Sequence, residues 1–307
     1  MMLYRAVPTF PAIRWLAFAG LGALLHVGGA AAAGSPVLER VAASGKLVLA
    51  HRESSVPFSY LGPNGKPMGY ALELCERLGE AVKKSLNLKT LVFEYVAVTP
   101  STRLPFIAEG KADLECGSTT NNADRRKTVA FTVPHYITGA RFLVRASSPV
   151  QDLREFEGKR LVSTKGTTPI KAVEQANRER MLRINLLEAP DHARALEMVE
   201  QGEADGFVMD DVLLYGLIAS HPAPSKFKVV GKFLTIEPLA IMLSKDDAAF
   251  KRIVDDEMKR LIVSGEARKI YERWFMQPIP PRNQPLNLPM NYLTRDFWKY
   301  PTDQVPF

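Results

Sequence analysis

The sequence predicts an α/β protein made of two α/β lobes joined by two chain crossings. Three observations carry that expectation. From Lys46 onward, short apolar runs alternate with segments of helical period, the β-α-β-α-β rhythm of a parallel-rich sheet with helices on its faces. The rhythm lapses after Val144 and restarts at Arg160, so a second block of the same kind follows the first. A later apolar run over residues 239–243 returns the chain ahead of two amphipathic segments.

The chain of 307 residues opens with Arg5 and Arg14 and no acid, then an apolar stretch over 15–25, then Ala30-Ala31-Ala32-Ala33-Gly34. A basic head, a short apolar stretch and an A-x-A end read as a secretory signal peptide. His26 and several glycines interrupt a stretch already short for a membrane span of ~20 residues. Residues 1–33 are therefore expected to be removed on export to the periplasm, with no Cys near the cut to carry a lipid. The 274 residues that remain are enough for two lobes of ordinary domain size.

Losing Arg5 and Arg14 lowers the formal charge from +7 to +5. The densest basic cluster, Arg125-Arg126-Lys127, is too short for a nucleic-acid patch, so no nucleic-acid partner is expected. A modest positive charge favours small anions, weakly at physiological salt. Cys75 and Cys116 fit either a disulfide in an oxidising compartment or two buried small apolar residues. The reading leans to unpaired thiols.

In the first block a strand over 47–50 ends at His51-Arg52, and a helix over 70–86 places Leu74, Leu78 and Val82 on one stripe. A strand over 91–98 leads to Thr99-Pro100, which reads as an N-cap and first helical position. A strand over 112–115 then runs into Cys116-Gly117-Ser118-Thr119-Thr120-Asn121-Asn122-Ala123-Asp124-Arg125. Small hydroxyl residues ahead of a helix start leave backbone N–H groups open at a positive dipole end, a turn suited to an anion. A capped helix start with a surface Arg is the plainer alternative. In the second block, strands over 160–163, 184–187 and 206–209 precede helices that open at Gly166-Thr167-Thr168-Pro169, Pro190-Asp191-His192 and Asp210-Asp211. Amphipathic segments over 249–263 and 266–275 follow. With crossings near 140–146 and 236–242, residues 34–143 and 238–307 form one lobe and 144–237 the other. Two crossings make a hinge with a cleft between the lobes.

Ligands of such sheets gather at the C-terminal strand ends. Arg52, Arg103 and Arg125 all fall at strand-to-helix turns of the first lobe. One surface Arg is usually a solvated charge, whereas three at equivalent positions argue for a shared cationic site. Three guanidinium groups in one cleft repel one another, so an anionic ligand relieves that cost. Asp210, at a second-lobe strand end, suits an ammonium group, or else caps the helix from Val212. Nucleophile-elbow, zinc-protease, C-x-x-C and phosphate-loop patterns are absent from the sequence, and the histidines beyond the leader, His51, His135, His192 and His221, lie far apart. No metal, no cofactor and no catalytic activity are expected.

The chain resembles the periplasmic polar amino-acid-binding proteins of ABC importers, solute-binding family 3, and most closely the members that bind glutamate and aspartate. The residues carrying the resemblance run from His51 through Tyr60 and from Glu115 through Asn122. Shorter matches are Gly166-Thr167-Thr168, Asp191-His192, Met209-Asp210-Asp211, Ser264-Gly265-Glu266-Ala267 and Ile279-Pro280-Pro281. The likeness covers essentially all of the chain beyond the leader. It implies a two-lobe binding-protein fold, a monomer that takes L-glutamate or L-aspartate, and an ABC transporter membrane permease as partner.

By the same resemblance Ser118, Thr120 and Arg125 hold the ligand α-carboxylate and Asp210 takes the α-ammonium. Arg52 and Arg103 meet the side-chain carboxylate, His192 touches that end from the second lobe, and Thr167 or Thr168 joins on closure. Three Arg and one Asp give +2 against a ligand of net −1. One position departs: a serine of the family falls at Pro100, which has neither hydroxyl nor N–H. Unless Ser101 or Thr102 replaces it, a lost charge-assisted bond costs ~1.5–3 kcal/mol, roughly ten- to hundredfold in affinity. Other readings on the same fold are a cyclohexadienyl dehydratase-like enzyme and a sensor for a signalling receptor. The enzyme needs a cleft acid of raised pKa, for which the sequence offers only Asp210.

Overall fold

The computed structural model describes residues 34–305, so the expected leader over 1–33 lies outside the described residues. Pro at the first helical position and a Ser35 side-chain cap start helix α1 (Pro36–Ser44), which feeds strand β1 (Lys46–His51). A small antiparallel ribbon follows: β2 (Ser54–Ser55), β3 (Ser59–Leu61) and β4 (Pro67–Met68). The first sheet continues with α2 (Tyr70–Ser85), β5 (Val92–Ala97), α3 (Arg103–Ala108), β6 (Leu114–Thr120), β7 (Val129–Phe131) and β8 (Tyr136–Thr138). The second is built from β9 (Ala140–Arg145), β10 (Arg160–Thr164), α4 (Thr168–Glu179), β11 (Asn185–Ala189), α5 (His192–Glu200), β12 (Gly206–Asp210), α6 (Asp211–Ser220) and β13 (Phe227–Val230). Then β14 (Glu237–Ser244) rejoins the first sheet, ahead of α7 (Ala248–Val263), α8 (Glu266–Phe275) and α9 (Tyr292–Phe297).

The sheet orders are β5-β1-β6-β14-β7, with β8 also on β14, and β11-β10-β12-β9-β13. In each, the strands that open the α/β repeat pair in parallel: β1 lies between β5 and β6, and β10 between β11 and β12. The crossover helices cover the faces of these strands, which is why the runs read as apolar on both sides. β9, β13 and β14 pair antiparallel, and they are the strands next to the crossings. The chain leaves the first sheet between Thr138 and Ala140 and returns between Val230 and Glu237. The mixed α/β architecture is the one expected.

Two local expectations are corrected. Thr99-Pro100 does not begin a helix; α3 starts at Arg103, after a hydrogen-bonded turn in which the Thr102 hydroxyl accepts from the Thr99 N–H at 2.9 Å. The strand expected to stop at Glu115 runs on to Thr120, because Thr119 and Thr120 pair with Ala240 and Leu239 of β14. Only a three-residue 3-10 turn, Arg125–Lys127, follows it, so Ser118 and Thr120 stand on a strand end and not at a helix N-terminus.

A third correction concerns the cysteines, which form a disulfide between α2 and β6 with their Cα atoms 6.0 Å apart. Cys75 lies on the buried stripe of α2 with Leu74 and Leu78, and Cys116 points into the same core beside Leu114. The two are 41 residues apart in sequence, and spacing alone gives no sign of the contact. Closing a loop of that length removes about 4 kcal/mol of unfolded-state entropy in the simplest chain model.

Next to the disulfide sits a cluster of rings, with Phe58 against Tyr70, Tyr136 and Phe275, and Tyr271 stacked on Phe275 at 4.1 Å. His135 is embedded there, 5.5 Å from Tyr70 and 5.7 Å from Phe58, with no exposed surface. Burial pushes its imidazole pKa down from the usual 6.5 to about 3. The unfolded chain takes up this proton below about pH 6.5 and the folded chain only near pH 3. The stabilisation is thus complete above pH 6.5 and drains away as pH falls towards 3, at up to ~1.4 kcal/mol per pH unit. His135→Phe, which suits the aromatic surroundings, is expected to flatten that acid limb in urea denaturation between pH 7 and pH 4; an unchanged limb would assign it to other groups.

Candidate functional site

β1 ends at His51, and the chain turns at once, so that Arg52 lies beneath the ribbon. The Arg52 N–H donates to the Ser59 hydroxyl at 2.9 Å, and the Arg52 carbonyl meets His51 Nδ1 at 3.1 Å. These bonds give His51 and Ser59, at either end of the long first motif, a structural use in holding the arginine. Arg103 opens α3 and is buried, and the end of β6 supplies Ser118 and Thr120. From the other sheet, Asp191 caps α5 through the Arg194 N–H at 2.9 Å and sets His192 as its first residue. The His192 Nδ1 pairs with the Thr164 hydroxyl at 2.7 Å. Thr167 precedes α4 in extended conformation, its hydroxyl donating to the Thr164 carbonyl at 2.6 Å; it gives α4 no side-chain cap, which leaves the first-turn N–H groups of that helix open.

These elements meet around one small cavity, walled by Arg52, Arg103, Ser118, Thr120, Thr167, Thr168, His192 and Asp210 together with Pro169, Met209 and Leu213. Eight of the nine residues expected from the sequence therefore share one space. The ninth, Arg125, lies beside it, lining an adjacent opening with Pro100, Ser101 and Gly166. Its guanidinium donates to the carbonyls of Thr120 at 2.9 Å and Gly166 at 3.2 Å, tying the end of β6 to the turn before α4. Pro100 borders that opening and not the cavity. Ser101 and Thr102 do not line the cavity either, and their hydroxyls are engaged with Thr99.

The charges in the cavity are nearly dry. Arg52 and Arg103 are 1 % and 2 % exposed, and in each the Nε and Nη1 atoms are buried without a hydrogen-bond partner. Burial first, and then the neighbouring Arg103 charge, lower the Arg52 pKa from 12.5 to about 9; the same two causes bring Arg125 to about 9. Arg103 is lowered by burial, with Glu115, Asp210 and Glu237 acting against the shift. His192 is held well below its ordinary value by burial, then by Arg52 and Arg103, so it offers a neutral imidazole.

Asp210 precedes α6 but makes no side-chain cap bond to it, and its Oδ1 is buried without a partner. Of the two readings the sequence allowed for Asp210, capping is the one that fails. Its pKa is raised well above the carboxylate range by burial, then by Glu237 and Asp211. A cationic group placed there would restore the charged form.

Two residues that shape this balance were not picked out from the sequence. Glu237, at the start of β14, is buried and accepts from the Thr168 hydroxyl at 2.8 Å, which in turn meets the Thr120 hydroxyl at 3.4 Å. Glu115, fully buried on β6, accepts from the Thr119 hydroxyl at 2.5 Å. The expected charge count of three Arg against one Asp is therefore incomplete: two more buried carboxylates offset the arginines. The signal was available for Glu115, an acid set between Leu114 and Cys116 in a strand buried on both faces.

The fold and the site together define a two-lobe solute-binding protein, with donors from both sheets around one small polar cavity. The profile of the bacterial extracellular solute-binding proteins, family 3, matches residues 47–277, and the chain belongs to this family. It is similar to the L-glutamate/L-aspartate-binding protein of Pseudomonas aeruginosa, with 41 % identity over 87 % of this chain and 89 % of that one. It is also similar to the glutamate/aspartate import solute-binding protein of Escherichia coli K12, with 36 % identity over 96 % and 98 %. Among solved structures, an ancestral arginine-binding protein bound to glutamine aligns with a TM-score of 0.68, 21 % identity, and 75 % and 98 % coverage. The L-cysteine solute receptor of Neisseria gonorrhoeae aligns with a TM-score of 0.70, 21 % identity, and 78 % and 94 % coverage. At such identity these two speak for the fold. Among the described residues no helix is long and apolar enough to cross a membrane and no cluster of metal ligands occurs.

Asp210→Asn keeps the shape of the side chain and removes its repulsion with Glu237. The variant is expected to match or exceed the wild-type urea midpoint at pH 7 without ligand, by up to ~1 kcal/mol. A clear loss of stability would mean that the Asp210 charge is net favourable as it stands.

Proposed function

We propose that the two lobes close over L-glutamate or L-aspartate and that the closed form delivers it to the membrane permease of an ABC importer. The observation that carries this reading is the pairing, around one small cavity, of unpartnered Arg52 and Arg103 guanidinium nitrogens with an unpartnered Asp210 carboxylate oxygen. Such a site complements a molecule with one ammonium and two carboxylates. The names of two relatives similar to this chain over nearly their full length support the same ligand class.

In this reading Asp210 takes the α-ammonium. Ser118, Thr120 and the open N–H groups of α4 beside Thr167 and Thr168 take the α-carboxylate, with Arg125 buttressing the strand end and the turn. Arg52, Arg103 and neutral His192 take the side-chain carboxylate, and an amide there leaves guanidinium charge unanswered. The lobes divide close to the boundaries read from the sequence, with the chain crossing between Thr138 and Ala140 and again between Val230 and Glu237. The protein acts as a monomer, exported through its leader to the periplasm, and performs no chemistry on its ligand.

One observation favours a second reading: the raised Asp210 pKa is what a general acid needs, as in a dehydratase on this fold. The buried arginine pair does not separate the two readings, since it suits the carboxylate of either kind of ligand. Consumption of prephenate or arogenate by the purified protein would establish that second reading.

The deciding experiment is a thermal-shift screen of the chain from residue 34 against the common amino acids. Glutamate and aspartate are expected to raise the midpoint while glutamine does not; a largest shift with glutamine would overturn the assignment of the side-chain pocket.

Closure itself depends on Gly166, where φ is +81° and an added Cβ would lie 2.8 Å from the Pro100 carbonyl oxygen and the Ser101 Cα. Gly166→Ala is expected to bind glutamate at least about tenfold more weakly, because the loop it strains is also the contact that lets the lobes meet. Small-angle scattering with saturating glutamate should show a larger radius of gyration than wild type; equal radii and equal affinity would refute the role.

A further inference from the structure

Behind the wall of the cavity, Glu115 has no part in the roles assigned above. It is the second residue of β6 and lies opposite Ala50 of β1, two residues before Arg52. Its side chain is fully buried; one carboxylate oxygen accepts from Thr119 and the other, Oε1, meets no partner. Gly117 makes room for it: a Cβ there would stand 2.3 Å from Glu115 Oε1 and 3.0 Å from Arg52 Cγ. The carboxylate is thus seated against the stem of Arg52 by a glycine and a hydroxyl, and the strand is fixed from behind by the Cys75–Cys116 disulfide.

Among the described residues Glu115 forms no direct ion pair, and it does not line the cavity. The guanidinium donors of Arg52 and Arg103 therefore stay available to a ligand. What Glu115 does instead is electrostatic: its charge acts on both arginines, in the sense that favours their protonated forms. The same negative charge lowers the positive potential at the place where a ligand's side-chain group would lie. A ligand carboxylate feels all of that reduction, and a neutral amide feels little of it.

We propose that Glu115 sets how strongly the cleft prefers a carboxylate over an amide at the ligand's side-chain end. The inference rests on the glutamate/aspartate reading of the site. Glu115 stabilises the arginine pair in the unliganded protein and, in doing so, limits the affinity for acidic ligands. A unit charge about 10 Å from a ligand carboxylate at an effective dielectric constant near 20 changes affinity on the order of tenfold.

The test is calorimetric titration of wild type, Glu115→Gln and Glu115→Asp with L-glutamate and L-glutamine at fixed ionic strength. Glu115→Gln keeps the shape and the hydrogen bond with Thr119. It is expected to tighten glutamate on the order of tenfold and leave glutamine nearly unchanged, while Glu115→Asp stays near the wild-type ratio. If Glu115 only held the strand in place, both ligands would weaken together and the ratio would not move, which overturns the proposal. Should Glu115→Gln fail to fold, Glu115→Met, of similar length and uncharged, serves instead. It is expected to widen the ratio in the same direction, and an unchanged ratio there also overturns the proposal. A wild-type protein that binds no acidic amino acid would overturn the functional reading itself, a result distinct from wild-type binding with a ratio that ignores residue 115.

Discussion

Everything near the cleft answers to the cost of burying three guanidinium groups close together. Arg52, Arg103 and Arg125 are each almost fully removed from water, and the Arg103 charge makes those of Arg52 and Arg125 harder to hold. A protein tolerates this only with compensation, and here it is divided between the two sheets. Glu115 answers from the first sheet, Asp210 from the second, and Glu237 from the strand that returns between them. Asp210 is itself strained by Glu237 and Asp211. The result is a set of charges balanced on average and unsatisfied atom by atom, the condition under which a small dipolar molecule gains most from entering.

The same residues that hold charge also hold the lobes together. Arg125 spans from the Thr120 carbonyl to the Gly166 carbonyl, and Thr168 links Thr120 to Glu237. These few polar contacts, with the exposed Lys171–Asp124 pair, are what join the end of β6 to the start of α4. Each is weak alone, worth about 1 kcal/mol or less. Contacts of that strength leave opening and closing within reach of a ligand's binding energy.

Much of this was legible in the sequence, and the reasons are particular. The apolar runs at β1, β10 and β12 stand out because parallel strands are covered on both faces. Arg52, Arg103 and Asp210 stood out because they fall together at the strand ends, and His192 through the resemblance. What stayed hidden depended on contacts between distant segments. β6 was read five residues short, since its last pairs are with β14, more than a hundred positions away. The helix expected at Pro100 begins at Arg103, because hydroxyl bonds among Thr99, Ser101 and Thr102 hold the intervening turn. Glu237 escaped notice because it is a single acid whose meaning comes only from the arginines it faces in three dimensions, whereas Glu115 could have been caught as an acid inside a strand buried on both faces.

The bond between Cys75 and Cys116 joins a helix of the first sheet to the strand that carries Ser118 and Thr120. Thiols in a reducing cytosol do not make that bond, so a chain still inside the cell lacks the cross-link behind its own recognition strand. Maturation is in this way tied to redox surroundings: the bond forms only under oxidising conditions such as those outside the cell, and the matching family is one of extracellular proteins. A molecule without the bond has a looser strand behind Ser118 and Thr120, and so grips less firmly whatever those residues hold.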